Sequence, residues 1–184
     1  MTELIILAII VAAGFYAITI YNRLVKNRQM VEEGWSGIDV QLKRRTDLIP
    51  NMMETVKGYM THERELLEEI ARLRSQARDA ADAPPGERGP IEAALSGALG
   101  RLFAVVENYP DLKANQNFLD FQETLREIED QIQMSRRYYN GATRNLNILV
   151  ESFPSNLVAN IFKFRKSDYF EIDDGERATP QVAF

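Results

Sequence analysis

Histidine 62, in the string "THERE", is the residue with the most chemical capacity in this chain. The string begins as zinc-peptidase helices do, where two histidines four residues apart hold the metal and an intervening glutamate serves as base. Position 66 is leucine, so the metal pair is incomplete. With one histidine and no cysteine in the sequence, a first-row metal site would need carboxylates alone, and disulfides and thiolate ligands are excluded. Serines are present, but none sits in a G-x-S-x-G elbow or beside a histidine. Neither a phosphate-cradling G-x-x-x-x-G-K-S/T loop nor a G-x-G-x-x-G turn occurs. No complete catalytic constellation is legible, no cofactor is implied, and the expectation is a protein without enzymatic activity.

Three further stretches carry charge or rings in patterned form. In "GIDVQLKRRTDLIPN", Lys43, Arg44 and Arg45 are consecutive. Asp39 lies four residues before Lys43, a helical pairing worth a few tenths of a kcal/mol, and Asp47 follows closely. Arg45 falls on the apolar stripe described below, while Lys43 and Arg44 point elsewhere. Two readings stay open: a solvated face with a part-buried Arg45, or a surface that docks a partner and includes Trp35. "SRRYYN", 135–140, poses the same choice with Arg136, Arg137, Tyr138 and Asn140. A nucleic-acid footprint would want more bases on one face and less surrounding acid. The net charge of −5 argues the same way, so no nucleic-acid partner is expected. In the third stretch, "SNLVANIFKFRKSDYF", Phe162 and Phe164 alternate with Lys163, Arg165 and Lys166. That composition suits contact with anionic membrane lipid; the competing reading is that the rings plug the open end of a bundle.

The elements that must position these residues follow from periodicity. Apolar residues recur at alternating steps of three and four from Trp35 through Ile38, Leu42, Ile49, Met52 and Val56 toward Ala77, with Arg45 and Glu63 as polar members. A second run covers Ile91 to Tyr109, and the cleanest covers Phe118 to Phe153, broken only at Ser135. Such spacing favours left-handed, coiled-coil-like packing. "DAADAPPGERGP", 79–90, and "NYPDLKAN", 108–115, read as loops, with Asn115 placed to cap the next helix. Pro50 sits inside the heptad phase. Asp47 can cap a new helix with Pro50 in its first turn, which gives a tight turn at 46–50 and antiparallel helices over 24–45, 48–80, 90–108 and 116–152. One long kinked helix is the alternative. The expected fold is all-α: an up-and-down four-helix bundle over 22–152 behind an N-terminal span, then an aromatic and basic segment (153–170) and an acidic, flexible tail (171–184).

"LIILAIIVAAGFYAITIY" runs from Leu4 to Tyr21 without a charge. As a helix it is roughly 27 Å long, close to the ~30 Å hydrocarbon core. A cleaved signal peptide would carry a basic leading region, and only Met1, Thr2 and Glu3 precede the run. A buried soluble helix would need protein on every side. Arg23, Lys26 and Arg28 follow the run, so the bulk is expected in the cytoplasm with residues 1–3 outside. In an antiparallel bundle the segment after Phe153 returns toward that membrane.

"YNRLVKNR", "WSGIDVQLKRRTDLIPNMMETVKGYMTHE", "RRYYNGATRNLN", "SFPSNLVA", "FKF" and "YFE" occur in this order, and together they resemble the LemA family along nearly the whole chain. The resemblance implies one N-terminal span, a short outside tail and a cytoplasmic antiparallel helical body, without an established reaction. It also implies loose links to membrane-associated processes, including magnetosome membrane formation and neighbourhoods with membrane proteases. The expected partners are membrane lipid, further copies of the chain and other membrane proteins such as proteases.

Overall fold

Helix α1 (Thr2–Lys57) runs unbroken through the apolar leader, the Trp35 stripe and Pro50 in a computed structural model that describes residues 1–60 and 62–171. Five helices follow: α2 (Arg64–Asp79), α3 (Pro85–Val106), α4 (Pro110–Lys113), α5 (Gln116–Glu151) and α6 (Ser155–Ile161). The described residues hold no strand, so the all-α expectation stands. The expected acidic tail lies outside the described residues apart from Glu171.

The expected turn at 46–50 is absent. Proline lacks an N–H, so residue 50 cannot donate to the Thr46 carbonyl one turn back. Arg74 of α2 supplies the missing bond, its Nε donating to that carbonyl at 3.0 Å. The helix therefore continues to Lys57 and gives way at Gly58, and α2 begins at Arg64. The expected helices 24–45 and 48–80 are accordingly replaced by α1 and α2. The loop at 79–90 is also shorter than expected. Pro85 opens α3, where a helix's first residues have no intrahelical acceptor for an N–H anyway. The 108–115 loop holds the single turn α4, and Asn115 Oδ1 accepts from the Phe118 N–H at 3.2 Å, capping α5 as its sequence suggests.

The chain divides into two compact units, residues 1–36 with 135–169, and residues 37–134 with those from 170. In the second unit the heptad stripe forms the core: Ile49, Met52 and Val56 of α1 meet Ile70 and Leu73 of α2, Leu95 and Leu102 of α3, and Phe118 and Leu125 of α5. α2 and α3 run antiparallel, tied by Arg101 Nη2 to Glu69 Oε2 at 2.6 Å, and Arg88 Nη1 holds the loop between them through the Ala81 carbonyl at 2.9 Å. α3 is apolar and long enough to pass for a span, yet Leu95, Ala98, Leu99 and Leu102 are core residues.

In the first unit Leu24 and Val31 of α1, Tyr139, Ala142 and Leu146 of α5, and Val158 and Ala159 of α6 are buried. The α5 stripe ends there. Phe153, the last core position by its spacing, is 80% exposed, because α5 ends at Glu151 and the helical stripe no longer holds beyond it. At Gly34 α1 and α5 pack closely. A Cβ at this position would stand 3.0 Å from both the Tyr139 Cα and the Tyr138 ring. From Leu4 to Ile18 the large apolar side chains lack protein cover; Ile9, for example, is 63% exposed. This part of α1 is long and apolar enough to cross a membrane.

Candidate functional site

Arg45 is where the sequence's chemical question concentrates, and the second unit buries it completely, at 0% exposure. Its place on the apolar stripe of α1 forces this, since every neighbour on that stripe points into the core. A lone guanidinium there would be prohibitively costly, and α3 supplies the compensation. Glu92 Oε2 accepts from Arg45 Nη2 at 2.6 Å, and Glu92 Oε1 accepts from Arg88 Nε at 3.1 Å. The carboxylate, 1% exposed, is thus shared between two guanidiniums. Arg45 Nη1 also donates to Glu129 Oε1 of α5 at 2.5 Å and to the Ser96 hydroxyl, and Nη2 donates to the Glu92 carbonyl at 3.2 Å. Arg88 Nη1 reaches Asp39 Oδ1 at 2.7 Å. Three helices meet at this cluster.

Two readings change. Arg45, a candidate for a partner surface, is no surface residue, because its side chain is consumed inside the unit. Asp39 pairs with Arg88 rather than with Lys43. Lys43, Arg44 and Asp47 do face solvent, with Arg44 Nη1 donating to Gln41 Oε1 at 3.1 Å. Sequence spacing flagged Arg45 but not Glu92, Arg88 or Glu129. The expected loop at 79–90 takes in Arg88 but not Glu92, which conceals that the two stand one helical turn apart.

The second candidate surface assembles in the first unit. Trp35, part-buried, lies against the Tyr139 ring with centroids 5.6 Å apart. Tyr138 is exposed and donates to Glu33 Oε2 at 3.0 Å, which raises its phenol above the usual value. Tyr139 is buried and donates to the Asp168 carbonyl at 2.7 Å; burial, above all, pushes its phenol upward. Arg136 and Asn140 are part-buried and Arg137 is exposed. These residues hold α1, α5 and the chain after α6 together. Asn147 completes the seam: its Nδ2 donates to the Ser167 carbonyl and its Oδ1 accepts from the Ser167 N–H, both at 2.9 Å.

The aromatic and basic stretch splits. Lys163, at φ 57°, is the left-handed residue that closes α6, with the Phe164 N–H donating to the Ala159 carbonyl at 2.9 Å and the Lys163 N–H to Asn160 at 3.3 Å. This sharp exit sends neighbouring rings to different surroundings. Phe164, a candidate lipid contact, is turned inward to 8% exposure, 5.8 Å from the Tyr21 ring and beneath the Arg28 guanidinium at 5.2 Å. It is therefore a packing residue. Phe162 stays 56% exposed while its ring meets Tyr21 in a tilted contact at a centroid distance of 4.7 Å. Lys163, Arg165 and Lys166 are exposed, and Lys166 pairs with Glu151 at 2.7 Å. The helix α6 itself had no periodic signal long enough to be read.

His62 is exposed at the α1–α2 break. Glu63, the other polar member of the stripe, accepts from the Tyr109 hydroxyl and raises that phenol. Among the described residues no three histidine, aspartate or glutamate side chains converge as metal ligands.

The model of the LemA family matches residues 34–184. Protein LemA of Metamycoplasma hominis is 30% identical over 158 residues, covering 85% of this chain and 71% of that protein. Magnetosome protein MamQ 2 of Paramagnetospirillum magneticum is 25% identical over 213 residues, covering 97% and 76%. Magnetosome protein MamQ of Magnetospirillum gryphiswaldense is 24% identical over 189 residues, covering 88% and 70%. The matched region begins at Gly34, beside the Tyr138–Tyr139 contact, and takes in the Arg45 cluster and the α6 exit, so the chain belongs to the LemA family.

Proposed function

We propose that this chain is a membrane-anchored, non-enzymatic helical scaffold whose coiled-coil-like body lies in the cytoplasm and self-associates or docks other membrane proteins, membrane proteases among them. The observation that carries this is the bare stretch of α1: from Leu4 to Ile18 the large apolar side chains lack protein cover, which water would penalise by roughly 25 cal/mol per Å². Arg23, Lys26 and Arg28 follow it and favour retention of that end on the cytoplasmic side. Trp35 and the exposed Lys43, Arg44, Asp47, Arg137 and Tyr138 form the surfaces offered to partners. Two relatives are named as magnetosome proteins, which fits a part in building an assembly.

The absence of cysteine from the sequence makes the test direct. Single cysteines at Arg44 and Arg137, oxidised in intact membranes, are expected to yield crosslinked dimers or adducts with a membrane protein. Only monomers at both positions would reject the scaffold reading. Protease added outside whole cells is expected to spare the body, and its digestion would reverse the assigned orientation. A second reading, in which the chain acts on lipid, is favoured by the exposed rings that flank α6.

A further inference from the structure

We infer that α6 and its flanks form a second membrane contact, an apolar ridge that lies in the headgroup–acyl boundary of a phospholipid bilayer beside the end of the span. This rests on the reading that residues 4–21 cross that bilayer. The ridge consists of Phe153, Leu157, Ile161 and Phe162, exposed by 80, 53, 73 and 56%. Leu157 and Ile161 stand one turn apart on α6, so their side chains share a face.

Its depth follows from two independent contacts. The Phe162 ring touches Tyr21, the last residue of the apolar run, at 4.7 Å. Phe153 is placed by register. Trp35 of α1 lies against Tyr139 of antiparallel α5, and from this pair the chain runs back along α1 to Tyr21 and on along α5 to its end at Glu151, with Phe153 just beyond it. Both ends of the ridge therefore sit at the level where the span leaves the hydrocarbon. The chain then turns away. Phe164 packs toward Arg28, and Ser167 and Asp168 bond Asn147 and Tyr139, progressively farther along α5 from its C-terminal end.

The chemistry around the ridge matches a phospholipid surface. Lys163 and Arg165 are exposed immediately beyond it and can reach phosphates. Lys163 occupies a left-handed position that glycine fills at less cost, and a cation has been placed there instead. Burying four large apolar side chains that solvent would otherwise hydrate is the driving force.

The test uses the full chain reconstituted in phosphatidylcholine vesicles, with nitroxide labels on single cysteines in this cysteine-free background. Leu157→Cys and Ile161→Cys read the ridge, Ile10→Cys reads the span, and Arg144→Cys, exposed on α5, reads water. The ratio of collision with oxygen to collision with an aqueous nickel complex is expected to be several-fold higher at Leu157 and Ile161 than at Arg144. Ridge labels as open to nickel as Arg144, with Ile10 still in lipid, overturn this inference and leave the anchor standing. Ridge labels shielded from both reagents show a protein cover and overturn it as well. A label at Ile10 in water overturns the anchor, and the ridge falls with it.

Discussion

In the second unit the guanidinium of Arg45 is fully buried among helices, whereas in the first the ring of Phe153 is left 80% exposed. The two units thus invert the usual placement of charge and apolar surface, each in a different direction. Buried charge seldom adds stability over a well-packed apolar substitute, because desolvation offsets most of the attraction. What it adds is discrimination. The two terminal nitrogens of Arg45 are satisfied only when Glu92 and Ser96 of α3 and Glu129 of α5 arrive in one register. Heptad stripes alone allow helices to slide, and a polar group on the stripe fixes the register. Exposed apolar rings likewise add nothing to folding in water, and they acquire a purpose only where something covers them. One unit uses its anomaly to define itself and the other to meet its surroundings.

The comparison breaks first at Arg45. Arg45→Met leaves Glu92 with Arg88 alone and removes the buried partner of Glu129, and should cost about 3–5 kcal/mol. Urea unfolding of the detergent-solubilised chain, followed by helical circular dichroism, measures it. Replacing Arg45, Arg88 and Glu92 together with Met and Leu should recover most of that loss, since no buried charge is then stranded; Asp39 and Glu129 are partly exposed and can hydrate. A triple variant as unstable as the single one would show that the cluster stabilises rather than discriminates.

Next come the positions where one helix depends on another's backbone. Arg74→Leu strands the Thr46 carbonyl and should cost about 1–3 kcal/mol. In a Pro50→Ala background residue 50 regains its N–H and can bond Thr46 itself, so the same substitution should cost much less. Equal costs in both backgrounds would mean that Arg74 acts through packing alone. In the first unit, Gly34→Ala drives a methyl toward the Tyr139 backbone and should cost about 1–3 kcal/mol. Gly97→Ala, with open space around it in α3, should instead stabilise by about 0.5–1 kcal/mol.

These positions also show what the sequence discloses. The stripe Ile38, Leu42, Ile49, Met52, Val56 is written at the helical period and is buried as its spacing demands. Asn115 announces its cap by residue type alone. Pro50 misleads because the rule it invokes is local, while the group that satisfies Thr46 comes from Arg74 on another helix. Arg88 is hidden because the prolines and glycines of 79–90 read as a loop, which leaves Glu92 at the start of the next helix without its partner, although Pro85 at a helix start is ordinary chemistry. Gly34 shows its need for close approach, yet nothing in the string says which residues approach. Helix α6 spans fewer than two full turns beyond its first residues, too short for periodicity to register, so the ridge is visible only once Tyr21 and Phe162 are seen in contact.

The smallest effect separates the units by pH. Tyr139 donates its hydroxyl to the Asp168 carbonyl, and Tyr139→Phe should cost about 0.5–1.5 kcal/mol, read as faster amide exchange over 163–169. Burial chiefly raises this phenol above its ordinary value of 10.0, so the folded state holds the proton more tightly than the unfolded chain does. The associated stability is complete below that ordinary value and is lost as pH climbs through the raised one. Tyr138, held by Glu33, and Lys166, held by Glu151, shift in the same direction but are exposed and contribute less. Alkaline exposure should therefore loosen amides along 163–169, and Tyr139→Phe should flatten most of that dependence. The Arg45 cluster has no phenol in it, so amides of α1 from Leu42 to Ile49 should keep their protection over the same range. Equal alkaline loss in both places would mean that the two units open together.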